Sequence, residues 1–417
     1  MRIGQRLAAA LVSFGAALAP CSGHATSETD PLSASELKQI DSIVGSRRQI
    51  VFGEDAHRLP SIHRLVAQLF RHLVETQNVR VLVFESAWGV EDALADFMSS
   101  ERTALSGREP FFLNAFASPE TAGLLVWIRD WNRAHPQDKV RISGFQPEQP
   151  VTDFAALQAG LKANGSQLEA IGTACGFADQ YKTDIDYIVA ISSAGADAPL
   201  QTSAARLACA AAIDELREAM PPQKGAAREL ALHAYSLSYY VQSVAAAFDE
   251  KPDLTLSERS AALGRDYDAV DTARLHVFDE LVKTRYGGMK TFFWMHNWHA
   301  ARHASEIETV STLGFGIPKG TVSFGERLRQ RDGQAVAYLG SVVPCPAKGG
   351  CTEPAGGVEA ALKTRFGEAP AIIRLAKTRD PAFSRPSTLM SNSNKMELRD
   401  VVLARQFDGL IYLPAEK

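Results

Sequence analysis

Two hydrophobic periodicities alternate along the first third of this chain. Short, mostly apolar runs at 48–52 and 80–84 are each followed by a stretch with a different rhythm. In 61–77 the apolar residues Ile62, Leu65, Val66, Leu69, Phe70, Leu73 and Val74 recur at steps of three and four. That spacing predicts one buried face of an α-helix. Pro60 fits its start, where an N–H has no intrahelical partner to lose. Further helices are predicted near 90–98 and 119–133, and a third strand at 140–145. Strands apolar on both faces, alternating with helices, predict a parallel sheet covered on either side.

From 153 to 288 the pattern changes to helix alone. The stretches 204–220, 226–248 and 257–286 are rich in Ala, Leu and Glu, with few breakers. After Gly287 and Gly288 apolar strands resume at 291–295, 335–339, 371–375 and 409–413. The expected fold is α/β: a mostly parallel sheet flanked by helices, with a largely helical insertion between the two halves of the sheet. The boundaries are 1–25 for a leader, 26–152 for the first half, 153–288 for the insertion and 289–417 for the second half.

The leader stands apart from the fold. Arg2 and Arg6 precede an uncharged apolar run at 7–18, and Gly23-His24-Ala25 offers a small-x-small cleavage site. This reads as a secretory signal peptide and implies a periplasmic or secreted protein. The run is too short to span a bilayer, so no stable membrane insertion is expected after cleavage. Cys21 makes a lipoprotein the competing reading, although Pro20 just before it suits lipidation poorly. Export also bears on the other cysteines, Cys175, Cys209, Cys345 and Cys351. An even number in an oxidising compartment predicts disulfides. Four cysteines allow three pairings. Cys345–Cys351, closing a short Pro-Ala-Lys-Gly-Gly loop, with Cys175–Cys209 is favoured; free buried thiols are the alternative. A formal net charge of −4 gives no basic footprint for nucleic acid.

Familiar catalytic motifs are missing. There is no Gly-x-Ser-x-Gly elbow, no His-Glu-x-x-His and no phosphate loop. Three pieces far apart in sequence remain. Glu54 and His57 follow the first strand, Glu85 ends the second, and His296-Asn297-Trp298-His299 ends the strand at 291–295. Strand ends are where α/β sheets place their chemistry. A carboxylate on one imidazole nitrogen fixes the tautomer and raises the basicity of the other. Gly53 is expected to let the chain leave the strand sharply. The same carboxylates and histidines are also suitable ligands for zinc or manganese. Two rival readings therefore stand beside a metal-free enzyme: a metal-dependent hydrolase, and a non-enzymatic exported protein that binds a small ligand.

These pieces resemble the erythromycin esterase family. The carriers are Gly53-Glu54-x-x-His57, the helix and apolar residues leading to Glu85, and Met295-His296-Asn297-Trp298-His299. Weaker matches are Arg265-Asp266, Gly325-Glu326-Arg327-Leu328, and the ending from Arg405 to Ile411. The resemblance runs from about residue 48 to 413. It implies hydrolysis of a carboxylic ester, in known members a macrolide lactone of antibiotic resistance, by His-activated water without a covalent nucleophile or cofactor. His57 would be the base, Glu54 and Glu85 would orient it, and His296 would stabilise or protonate the oxygen. His299, Trp298, Arg265 and Asp266 would bind substrate or support these groups. Two positions depart from the family. Members often carry Glu four residues and Arg nine residues after the catalytic His, where this chain has Ser61 and Val66. Arg64 lies roughly 200° round a helix from Val66. His63, one turn earlier on the same face, is the candidate to fill part of the gap.

Overall fold

The computed structural model describes residues 30–415, apart from 58, 106–115, 178–182, 193–199, 201, 221–224, 249–253, 312, 346–355, 377 and 392–395. The predicted signal peptide at 1–25 and Cys351 lie outside the described residues.

A seven-stranded sheet forms the frame, in the order β3-β2-β4-β1-β6-β10-β7. Its strands are β1 (Gln49–Glu54), β2 (Val79–Phe84), β3 (Arg141–Ser143), β4 (Lys290–His296), β6 (Val336–Val342), β7 (Ala371–Arg374) and β10 (Gly409–Tyr412). Six are parallel, and only the edge strand β7 runs antiparallel, against β10. The two halves of the sequence interleave here. β4, from the second half, sits between β1 and β2 of the first.

Both faces of the sheet are covered, which explains why its strands read as continuous apolar runs. On one face Ile50, Phe52, Leu82, Phe84, Phe292 and Trp294 share a core with α1 (Ala34–Val44), α2 (Pro60–Gln77) and α5 (Pro119–Ala134). Alternate residues Val51, Val81, Val83, Phe293 and Met295 point to the other face, as the two-residue strand period requires. The predicted helix near 90–98 is broken into α3 (Val90–Ala93) and α4 (Ala95–Ser99).

The insertion carries helices α6 (Pro150–Gly160), α7 (Gly165–Cys175), α8 (Asp184–Ser192), α9 (Ser203–Ala219), α10 (Ala226–Phe248) and α11 (Leu256–Leu281). It has a core of its own, including Phe154, Leu157, Ile171, Tyr187, Ile213, Leu237 and Val241. Cys175 and Cys209 are disulfide-bonded, joining α7 to α9. Cys345 is also disulfide-bonded. α11 leaves this bundle and packs Val277, Phe278 and Leu281 on the second face of the sheet. It ends at Leu281, and a π-helical turn, Val282–Tyr286, completes the predicted 257–286 stretch. Among the described residues, no helix is long and apolar enough to cross a membrane.

The remaining elements follow β4: α12 (Asn297–Ala300), β5 (Glu308–Ser311), α13 (Phe324–Asp332), α14 (Val358–Phe366), α15 (Pro381–Ser384), β8 (Ser387–Ser391), β9 (Met396–Val401) and α16 (Leu403–Gln406). A second, antiparallel sheet, β5-β9-β8, was not expected from the sequence. Its strands are short and carry charged or hydroxyl side chains, and β5 must find a partner across some ninety residues, so no local periodicity announces it.

The expectation for Gly53 is corrected. β1 continues through Gly53 to Glu54, and Gly53 is not among the glycines with positive φ. Its role is close packing. A Cβ there would come within 2.4 Å of Asn297 Oδ1 and 3.0 Å of the Ala300 Cβ. Gly325 does the same from the other side, where a Cβ would meet the Ala300 carbonyl at 2.3 Å. The short helix α12, which carries the second histidine motif, is gripped between two glycines.

Candidate active site

The parallel register assembles the first part of the site. Glu54 and His296 are partners across β1 and β4. Glu85 follows β2 directly, and its backbone N–H donates to the Trp294 carbonyl at 3.0 Å. Three elements that are distant in sequence thus end side by side at one edge of the sheet.

Glu54 is fully buried. One of its oxygens bonds His57 Nδ1, and the other accepts the indole N–H of Trp294 at 2.6 Å. Burial pushes the Glu54 carboxyl up, and His57 and Trp294 partly offset this. With Nδ1 engaged by a carboxylate, Nε2 is the His57 nitrogen placed to accept a proton. The His57 and His296 rings stand 5.8 Å apart between centroids, at 55°. His296 caps α12, its Nδ1 accepting from the Trp298 N–H at 3.3 Å, and its ring also bonds the Asp55 backbone. Burial, helped by His57, lowers the His296 pKa to about 3. The ring is therefore neutral at physiological pH.

Glu85 is bound to two further elements. Its Oε2 accepts the His296 backbone N–H at 2.9 Å, and its Oε1 accepts Arg274 Nη2 at 2.8 Å. Burial alone would raise this carboxyl. Arg274, with His299 and His57, instead holds it well below the usual carboxylate range. Arg274 Nη1 also donates to Asp271 Oδ1 at 2.8 Å and contacts His299 Nδ1 at 2.9 Å. Asp271 Oδ2 takes up His299 Nδ1 at 2.8 Å and the Phe324 N–H at 2.9 Å. The Tyr267 ring lies flat on His299, at 5.2 Å and 2°.

Of the residues singled out from sequence, His57, Glu54, Glu85, His296 and His299 come together. Trp298 is buried beneath them, edge-on to Tyr267 at 5.3 Å. Arg265 and Asp266 do not join the cluster; both are exposed on α11. Arg274 is nine residues beyond Arg265, half a turn round the helix, so the two face opposite ways. His63 does not replace an arginine. It is buried behind Trp294, 5.0 Å ring to ring, and bonds Ser118 Oγ at 2.7 Å. Burial lowers its pKa to about 3, so it carries no positive charge. Val66 is fully buried in the core, and Arg64 is drawn toward Glu120 at 3.5 Å.

Sequence reasoning missed Asp271, Arg274 and the hydrogen-bonding role of Trp294. A signal for the first two was present. Tyr267, Asp271, Arg274, Phe278 and Leu281 fall at steps of four and three on one face of α11. Two charges on a stripe that ends in core residues need partners inside the protein.

The site's donor atoms are largely committed to protein partners. Glu85 serves an arginine and a backbone N–H, and His299 Nδ1 serves Asp271 and Arg274. Among the described residues, no three His, Cys, Asp or Glu side chains are grouped to hold a metal ion. The arrangement does not fit a metal centre.

Fold and site together define an α/β protein with a histidine–carboxylate cluster at the carboxyl ends of its central strands. The chain belongs to the erythromycin esterase family, which matches residues 74–343. That range includes Glu85, Arg274, His296 and His299 but begins after Glu54 and His57. Membership supports a hydrolase of that family. Three solved structures share the fold. A Bacillus cereus protein is 17% identical over 99% of this chain and 97% of its own, with a TM-score of 0.66. A succinoglycan biosynthesis protein is 13% identical over 93% and 94%, with a TM-score of 0.68. The erythromycin esterase EreC, carrying a histidine-to-asparagine substitution and in its open conformation, is 15% identical over 92% and 94%, with a TM-score of 0.66. No curated protein matches the chain.

Proposed function

We propose that this protein is an exported hydrolase of a small-molecule carboxylic ester, and that His57 activates the attacking water without a covalent intermediate. The His57–Glu54 pair carries this reading. Glu54 accepts the Nδ1 proton, so Nε2 takes a proton from water as its oxygen attacks the acyl carbon. The imidazolium that forms is stabilised by the adjacent buried carboxylate. Trp294 holds the far oxygen of Glu54, so the carboxylate cannot rotate away. His296, neutral and across from His57, is held in place by the Trp298 N–H and the Asp55 backbone and shapes the far side of the reacting centre without adding a charge. Glu85 and Arg274 brace the strand end that positions it. The leader at 1–25 supports export, and the Cys175–Cys209 bridge is in keeping with an oxidising compartment. A macrolide lactone is one ester of this class, but Ser61 and the buried Val66 leave this chain without the family's arginine, so the lactone is not the favoured substrate.

The test is hydrolysis of a panel of aryl esters, alkyl esters and macrolides by the mature protein, with product mass as the readout and a chelator in parallel. His57→Ala should keep its fold by circular dichroism and lose about 10²–10⁴ in turnover. Retained turnover would sink the assignment of the base. Loss on chelation alone would restore the metal-dependent reading, and ligand binding without turnover the non-enzymatic one.

A further inference from the structure

A third strand reaches the site without supplying a group to the chemistry above. Ser341 stands near the carboxyl end of β6 and is fully buried. The register of β1 with β6 runs from Gln49–Val336 to Gly53–Gly340 and stops one residue short of Glu54. Beyond that point the Ser341 side chain takes over. Its hydroxyl donates to the Gly53 carbonyl at 3.0 Å and accepts the Asp55 N–H at 3.2 Å. These two backbone groups flank Glu54 on either side. The Ser341 carbonyl is occupied as well, accepting Asn297 Nδ2 at 2.8 Å.

The partners of Ser341 are the neighbours of both histidines. Asp55 lies between Glu54 and His57, and its backbone holds the His296 ring. Asn297 follows His296 and opens α12. One serine thus grips the turn that carries His57 and the helix that His296 caps. His57 lies beyond the last paired residue of β1, because the register with β4 ends at Glu54–His296. Its place relative to His296, 5.8 Å away between ring centroids, therefore depends on ties of this kind rather than on strand pairing.

The strands do not need the hydroxyl to stay together. β1 and β6 are already paired up to Gly53, and Ser341 itself pairs with Ile411 of β10. The Asp55 carboxylate separately accepts the Val343 N–H at 3.3 Å. What the hydroxyl ties down is the backbone on both sides of Glu54. Without it, two buried backbone groups lose this partner, which is costly, and they can find another only by turning or by admitting water. Either change moves His57 relative to His296. A misplacement of about 1 Å can cost about 100-fold in rate.

We propose that Ser341 is a positioning residue for this site, holding the His57 turn against α12 so that His57 and His296 keep their spacing across the reacting centre. The inference rests on the ester-hydrolase reading. Ser341 is not a nucleophile: its hydroxyl is buried, and both of its hydrogen bonds run to backbone.

The experiment compares Ser341→Ala with wild type and with Thr309→Val. The first removes a hydroxyl and adds no atom. The second removes a buried hydroxyl from the other sheet, where Thr309 on β5 accepts the Ile317 N–H at 2.6 Å. Turnover is read on the ester of the panel that wild type cleaves fastest. Ser341→Ala should lose about 10–100-fold in kcat with KM held within about 2-fold. Thr309→Val should lose less than about 2-fold in either. Proton NMR supplies a second readout. The His57 proton shared with Glu54 and the His296 ring proton held by the Asp55 backbone should give downfield resonances in wild type. Both should broaden or vanish in Ser341→Ala, through exchange with water, and persist in Thr309→Val. Unchanged resonances, a kcat loss no larger than that of Thr309→Val, or a rise in KM with kcat preserved overturns the inference while leaving His57 as base. If wild type cleaves no ester, the hydrolase reading falls, and the two resonances alone decide whether Ser341 sets the histidine pair.

Discussion

The two walls of the site are held together in different ways. On the sheet side, His57 meets Glu54 only three residues away, and parallel register sets Glu54 beside His296. On the insertion side, Arg274 reaches Glu85 across 189 residues and His299 across 25, from a long helix whose apolar residues pack on the second face of the sheet. The first wall depends on backbone pairing, and side chains only complete it. The second depends on buried charges, each of which needs the others. Chemistry on the sheet wall should therefore be lost without loss of fold, whereas changes on the insertion wall should cost stability first.

Arg274→Met is the severest test of that contrast. It leaves Glu85 and Asp271 buried without their cation, and breaking such a pair costs about 3–5 kcal/mol. Urea denaturation should show a loss of that order. His57→Ala, by contrast, should move the midpoint little. The two proteins should also respond oppositely to pH. In wild type the Glu85 pKa is depressed. Its contribution is present above the unfolded carboxyl value and is lost as pH falls through the native one. Without Arg274, burial dominates and raises the native pKa. The contribution then favours folding at low pH and is lost as pH rises. A variant whose stability falls with pH exactly as wild type does would mean that Glu85 does not depend on Arg274.

The next test separates the insertion from the sheet. The Cys175–Cys209 bridge closes a loop with a sequence separation of 34. Replacing both residues with Ala should cost about 3–4 kcal/mol in the chain-entropy account. The loss should appear first in the insertion's own core. Limited proteolysis should cut between 153 and 255 while the sheet stays intact. Cleavage beginning in the sheet would show that the two cores do not unfold separately.

The same contrast explains what could be read from the sequence. The sheet wall was legible because each of its residues ends a run of buried apolar residues, and a polar group there is conspicuous. The strand and helix alternation that frames it was equally visible, down to the resumption after Gly288. The insertion wall was not legible. Its residues lie in the middle of a helix rich in charge, where Arg265 and Asp266 look as suitable as Asp271 and Arg274. Only the side of the helix they occupy distinguishes them, and that depends on where α11 meets the sheet. Gly53 was misread for a related reason. A glycine at a strand end suggests a turn, whereas its purpose here depends on Asn297, a residue of another element.

The smallest expected effect is therefore also informative. Arg265→Ala removes a charge from the exposed side of the helix that carries Arg274 on its buried side. Exposed substitutions away from caps and buried partners usually stay within about 0.5 kcal/mol. Turnover should change by less than about 2-fold, with KM and the pH profile preserved. A clear rise in KM would mean that substrate extends over the outer face of α11. Recognition would then extend beyond the side of the site formed by Glu85 and Arg274, and Arg265 would be a binding residue. An unchanged KM confines recognition to the inner face, where Tyr267, Asp271 and Arg274 meet the strand ends.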